Sequence, residues 1–187
     1  SHILQWIMKK ASPWVNAELK TRMMKMNHVT GRGRMRNNNQ MEAIHRKQVR
    51  ELKARLGNVA LSDSTVSRIC RNLFKTKFLG VFMQASKIPQ RNGYMVLNND
   101  FVGGKGIHWL AVIKTGKNVY IYDSFGRLGR NILPYFCRNL QRHGYTIHNT
   151  DTSDQDQYGN KSVDCGHRCI SALKIAHRYG INAFMQL

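Results

Sequence analysis

Apolar residues recur along this chain at two spacings, and the change from one to the other divides it. In "MEAIHRKQVRELKARLG" the apolar positions Met41, Ile44, Val49, Leu52 and Leu56 fall roughly on one helical stripe. Glu42 with Arg46 and Glu51 with Arg55 add i,i+4 pairs, and Gly57 supplies a stop. Upstream, "SPWVNAELKTRMMKMN" predicts another helix, with Ser12 as N-cap and Pro13 at the first helical position. Between the two, "GRGRMRNNNQ" (Gly31 to Gln40) has little apolar content and reads as a mobile basic loop. "LSDSTVSRICRNLF" predicts a helix capped by Ser62 or Asp63, with Val66, Ile69, Cys70 and Leu73 facing inward.

Beyond that helix the period shortens. "FLGVFMQ" and "GYMVLNN" are short apolar segments separated by a Pro-containing turn, and the runs Ile107–Ile113 and Val119–Asp123 flank Thr115-Gly116-Lys117-Asn118, which predicts a hairpin. "NILPYFCRNLQRHG" reads as a helix ending near Gly144 with Cys137 buried, "YTIHNT" as a strand and "DTSDQDQYGNKSVD" as a loop. "CGHRCISALKIAHRYG" closes the series as a helix. Its apolar side follows Cys165, Cys169, Ala172, Leu173 and Ala176, and its polar side His167, Arg168, Ser171, Lys174 and Arg178. The class is α+β, divided into a basic helical N-terminal extension (residues 1–57) and a second domain (58–187).

Charge adds a partner class. The chain carries a net charge of +20, half of it in residues 1–56, where 13 basic residues face 3 acidic ones. Such a surface favours polyanions, nucleic acid above all, through phosphate contacts and counterion release. No zinc-finger spacing, RNA-binding aromatic motif or Walker loop accompanies it. Four cysteines (Cys70, Cys137, Cys165, Cys169) make no disulfide framework, and 187 residues bury a core without one. With no signal peptide and no apolar run of spanning length, the chain reads as a soluble protein of a reducing compartment with no membrane partner.

The candidate chemistry lies in "SVDCGHRC". A thiol at the start of a buried helix meets the positive end of the macrodipole and unpaired N–H groups, both of which favour thiolate. Gly166 leaves room beside the sulfur for close backbone approach, and the Cys165 N–H is a candidate oxyanion donor. Structural zinc needs about four ligands, and no second CxxC or HxxxH joins Cys165, His167 and Cys169. A nucleophile needs a base and an orienter. His108 enters the most strand-like run, and Asp123 lies at the end of the paired strand, where its carboxylate can hold the imidazole tautomer. Asp164 reads as a loop hydrogen-bonding residue, since a carboxylate beside the thiolate would raise its pKa. Gln157 or Gln155 is the candidate side-chain oxyanion donor, and Cys70 and Cys169 read as core residues.

"HW" entering a strand, "YDSFG" closing the next, a glutamine in a polar loop and "DCG" opening a helix, with "KFLGVF" ahead, resembles the adenovirus protease and ubiquitin-like-protein protease group of cysteine peptidases. The match runs from about Leu61 to Gly180, and the order His, Asp, Gln, Cys differs from the Cys-first order of papain-like enzymes. The basic, short chain is most similar to the viral capsid-maturation branch, virophage proteases of the mavirus type included. The resemblance implies an adenain-like α+β fold, a mixed sheet packed on a buried helix that starts at the nucleophile. It implies Cys165 as nucleophile, His108 as general base and then acid, Asp123 as orienter, and Gln157 with the Cys165 N–H as oxyanion hole. Trp109 would line a narrow channel admitting glycine beside the scissile bond, and Gly166 is the other candidate substrate-binding residue. Gln157 departs from the pattern, at eight residues before the cysteine where six or seven is usual. The implied substrates are viral capsid precursors cut at glycine-containing sites in the virion or viral factory. No metal is required, and DNA or an activating peptide is a candidate cofactor. Two alternatives stand beside this: an isopeptidase acting on ubiquitin-like tails, and a non-enzymatic basic nucleic-acid-binding protein with structural cysteines.

Overall fold

Apolar strands within residues 93–98 and 109–122 build the centre of the molecule, as a computed structural model of the chain shows for residues 32–84, 86–100, 108–150 and 163–187. The strands are β1 (Phe78–Met83), β2 (Gly93–Asn98), β3 (Trp109–Thr115), β4 (Asn118–Tyr122) and β5 (Thr146–Asn149). They form one mixed sheet in the order β1-β2-β3-β4-β5. The outer pairs β1·β2 and β4·β5 are parallel, and the inner pairs β2·β3 and β3·β4 antiparallel. Thr115 pairs with Asn118, so the β3–β4 turn has Gly116 and Lys117 at its centre. Gly116 alone of the two has positive φ (+56°), the requirement of a type II′ turn, whose twist matches the flanking strands.

Because side chains alternate across a strand, the sheet buries both faces. Val96, Trp109, Ala111, Ile113 and Tyr122 face one core, shared with helices α1 (Arg32–Leu56), α2 (Asp63–Phe74), α5 (Cys165–Tyr179) and α6 (Ile181–Phe184). Met95, Leu97, Leu110, Val112 and Ile121 face the other, covered by α3 (Gly129–Ile132) and α4 (Pro134–Arg142). The expected single helix over 131–144 is thus two, divided at Leu133 because Pro134 starts the second. Met41–Leu187 pack as one compact unit, so residues 41–56 share the core of the sheet domain. Residues 1–40 are a separate unit, described only from Arg32 onward. The helix expected after Ser12 lies outside the described residues.

Three further expectations need correction. Residues 32–40 are helical, not a loop, and continue α1 toward the N-terminus. Arg, Met and Gln are good helix formers, and adding residues to a formed helix avoids the cost of nucleation. On α2, Ser62 caps as expected, accepting from the Thr65 N–H at 3.2 Å, but Leu73 is 37% exposed. The buried stripe is Val66, Cys70 and Phe74, and the larger ring takes the core position. On α5, His167 and Ser171 are fully buried rather than on a polar face. This helix is covered on nearly every side, so its polar residues find partners inside. The Ser171 hydroxyl donates to Gln48 Oε1 (2.9 Å) and accepts from His45 Nδ1–H (2.8 Å), and His45 Nε2 accepts from the Tyr122 hydroxyl (3.2 Å). That network fastens α1 to α5 and β4.

The second core offers a stringent packing test at Gly129. A Cβ there would stand 2.7 Å from Ile121 Cδ1 and 2.9 Å from Asn149 Oδ1, the atom that accepts the Gly129 N–H at 2.7 Å. Gly129→Ala should destabilise the fold by about 1–3 kcal/mol, read as a lower urea midpoint with unchanged slope.

Candidate active site

The N-terminus of α5 places Cys165 at the edge of the first core, partly exposed, while Gly166, His167 and Cys169 behind it are buried. The first turn of a helix leaves N–H groups without intrahelical partners, and they concentrate positive potential there. Burial raises the Cys165 thiol, but a hydrogen bond and the charge of His108, with the backbone N–H groups of Trp109 and Gly166, outweigh it and hold it below the ordinary 9.0. Burial acts unopposed on two other cysteines, pushing Cys70 up to about 12 and Cys137 to about 11. Cys165 is therefore the thiol prepared to ionise.

His108 is fixed just ahead of β3, where its carbonyl accepts the Asn99 N–H at 3.1 Å. Its Nε2–H donates to Asp123 Oδ1 at 2.6 Å, which leaves Nδ1 as the nitrogen facing the thiol. Burial lowers the imidazole pKa, yet the bonds to Asp123 and Cys165 and their charges carry it above 6.5. Asp123 follows the last residue of β4 and is fully buried. Although burial opposes ionisation, donors from His108 and Arg127 bring its carboxyl down to about 2. Base and orienter come from paired strands, so the hairpin register sets their separation.

Arg127 and Phe125 were not singled out from the sequence. The Arg127 Nε–H and backbone N–H donate to Asp123 Oδ2 at 2.8 and 3.0 Å, and a terminal N–H reaches Oδ1 at 3.4 Å. Gly126 makes this return possible: its φ is +67°, and its N–H donates to the Asp123 carbonyl at 2.9 Å. Phe125 stacks on the His108 ring at 5.1 Å between centroids, and the Arg127 guanidinium covers the Phe125 ring at 4.8 Å. The signal available was an arginine four residues after the candidate acid in "DSFGR".

Other expected residues divide as follows. Trp109 is 9% exposed, and its indole N–H donates to the Leu61 carbonyl at 2.9 Å, so the ring is anchored in the core beside Cys165. The space above Gly166 is taken by Leu61, whose side chain would lie 3.2 Å from an added Cβ, so this glycine serves packing rather than open access. Asp164 pairs with Lys53 (3.0 Å) and Arg168 (2.9 Å), so its buried carboxylate is balanced by two cations. His167 Nε2–H donates to the Gly57 carbonyl at 2.8 Å, and burial holds its pKa below the ordinary value as a neutral core residue. Gln155 and Gln157 lie outside the described residues. Among the described residues no group of three or more His, Cys, Asp or Glu could hold a metal ion, and no helix is long and apolar enough to cross a membrane.

Chemically, the arrangement can generate a thiolate beside an imidazolium, return the proton through His108 Nδ1, and hold the imidazole against a carboxylate that stays ionised. Arg127→Ala would free that carboxylate. A roughly tenfold fall in kcat with KM unchanged is expected for any thiol chemistry of the site. A second readout is acid stability. Asp123 is depressed in the folded state, so its contribution is complete above the ordinary 3.8 and is lost as pH falls toward about 2. The variant, with its Asp123 carboxyl less depressed, should therefore be less stable above pH 3.8 and lose less stability than the unaltered protein as pH falls from there toward about 2. Neither models of known protein families nor the curated proteins match this chain.

Proposed function

We propose that this chain is a cysteine endopeptidase of the adenovirus-protease-like group, cutting viral capsid precursors at glycine-containing sites. The observation that carries the proposal is the Cys165–His108–Asp123 line, in which a partly exposed thiol held below its ordinary pKa meets an imidazole bound at 2.6 Å to a buried carboxylate. Attack of the thiolate on a peptide carbonyl forms a tetrahedral oxyanion. The amide nitrogen then leaves with the proton from His108, and water admitted to the acyl-enzyme, deprotonated by the same imidazole, releases the acid and restores the thiol. The Cys165 N–H at the helix start supports the oxyanion, with Gln157 as its side-chain donor. Trp109, anchored on Leu61, fits a wall that favours glycine beside the scissile bond. The net charge of +20 supports nucleic acid as a partner within a virion or viral factory.

Turnover tests the reading. Purified protein should cut a peptide containing a capsid-like glycine site faster than a ubiquitin-like fusion. The reverse preference would make the deconjugase assignment the right one, and no turnover of either would leave a basic binding protein with structural cysteines.

A further inference from the structure

Away from Cys165, the C-terminal end of α5 borders two clefts of about 560 Å³ each, and they share His177 and Tyr179. By the rise of an α-helix, Tyr179 stands about 21 Å from Cys165 along α5. One cleft lies between α1, α2 and α5. Ile44, Leu73, Phe74 and Tyr179 give it apolar walls, and Leu73 and Tyr179 are 37% and 41% exposed. Leu73 sits where the pattern of α2 puts an inward residue, yet more than a third of it stays exposed. The other cleft runs past Lys77, Tyr94 and Lys114 beside the β2–β3 ladder. Between them stands an aromatic ridge in which Phe74, Tyr94 and His177 meet edge to face at 5.2–5.8 Å, with Tyr94 Oη 3.3 Å from His177 Nδ1.

The charge around this furrow is predominantly positive. Lys47, Lys174 and Arg178 line the first cleft and Lys77 and Lys114 the second. Glu51 is the single acid lining either, and Lys47 already approaches it at 4.0 Å. Lys77, Lys174 and Arg178 meet no carboxylate among the described residues. Lysines around exposed leucine and tyrosine complement a ligand that carries carboxylates between apolar side chains. The N-terminal segment of this chain has the wrong sign, since residues 1–31 hold five basic residues against one acid.

We propose that this furrow is a docking site for an acidic amphipathic peptide segment of a partner protein, with Leu or Phe side chains seated against Leu73, Phe74 and Tyr179 and carboxylates paired with Lys174 and Arg178. Exposed pairs alone contribute little, so the apolar seat supplies affinity and the lysines supply sign and on-rate. The proposal does not rest on the protease reading, because the furrow lies a helix length from the thiol and its occupancy is measured without turnover.

The probe is a fluorescein-labelled synthetic peptide with Leu and Phe at helical i, i+3 and i+4 spacing and glutamate elsewhere, titrated by fluorescence polarisation. Saturable binding is expected, weakened at least about tenfold by Leu73→Ser and by Lys174→Glu with Arg178→Glu, and unaffected by Cys165→Ala. The altered residues are exposed or partly exposed, and an unchanged melting temperature confirms that each variant is folded. Absence of saturable binding, or equal binding by the variants, overturns the proposal. So does equal binding of a peptide with Leu and Phe replaced by Ser, or of a single-stranded oligonucleotide of the same charge, since either means a general polyanion surface.

Discussion

Cys165→Ala should abolish peptide cleavage, to at least about a thousandfold below the unaltered protein, because the variant keeps His108 and Asp123 but has no atom to carry the acyl group. Its fold should survive, since Cys165 is the least buried of the four cysteines and alanine is an excellent helix former. A labelling experiment reads the same residue without any substrate. Burial pushes Cys70 up to about 12 and Cys137 to about 11, so both stay protonated at neutral pH, and both are shielded by the core. Cys165 has a depressed pKa and is partly exposed. Brief treatment with iodoacetamide at pH 7 should therefore modify Cys165 almost alone, as mass spectrometry of the digested protein would show. Replacing His108 by alanine should remove that selectivity, because the first opposing influence on the thiol is the imidazole. Full cleavage by the Cys165 variant, or even labelling of all four cysteines, would overturn the assignment.

The parts of the site legible in the sequence were those that follow from element boundaries. Cys165 opens a helix, His108 enters a strand and Asp123 leaves the paired strand, and a hairpin register with a two-residue turn then brings base and acid together. What the pattern missed depends on the third dimension. Arg127 returns to Asp123 only because Gly126 adopts positive φ, and Phe125 reaches the His108 ring through the same turn. His167 and Ser171 read as surface residues because a helix covered on nearly every side no longer separates polar from apolar positions. Their partners, Gly57 and His45, lie more than 100 residues away. The parallel pairing of β1 with β2 is equally invisible to local periodicity, which marks strands but not direction. Residues 32–40 misled for the opposite reason, since their polarity suggested a loop while the helix after them extends through.

Asp123→Asn should cost about a hundredfold to ten-thousandfold in kcat/KM, and Arg127 determines why. The carboxylate now accepts from His108 on Oδ1 and from the Arg127 side chain and backbone N–H on Oδ2. An asparagine has one acceptor oxygen for both sets of donors. Two donors at 2.8 and 3.0 Å on the Arg127 side outnumber one on the His108 side, so the amide oxygen turns to Arg127 and the amide N–H groups turn to His108. His108 Nε2 must then accept, which moves the ring proton to Nδ1, the nitrogen that has to take the proton of Cys165. The loss of charge acts in the same direction. Without the carboxylate, burial pulls His108 back down, and the thiolate loses its imidazolium partner. Activity in the unaltered protein should appear as the thiol ionises below 9.0 and fade as the imidazolium titrates above 6.5, so the variant's pH profile should narrow from both sides. The tautomer argument also makes a non-additive forecast. In Asp123→Asn combined with Arg127→Ala the side-chain donor is gone, the amide can present its oxygen to His108 more often, and the double variant should cleave at least as fast as Asp123→Asn alone. A double variant slower by the product of the two single losses would show that Arg127 acts independently of the Asp123–His108 tautomer.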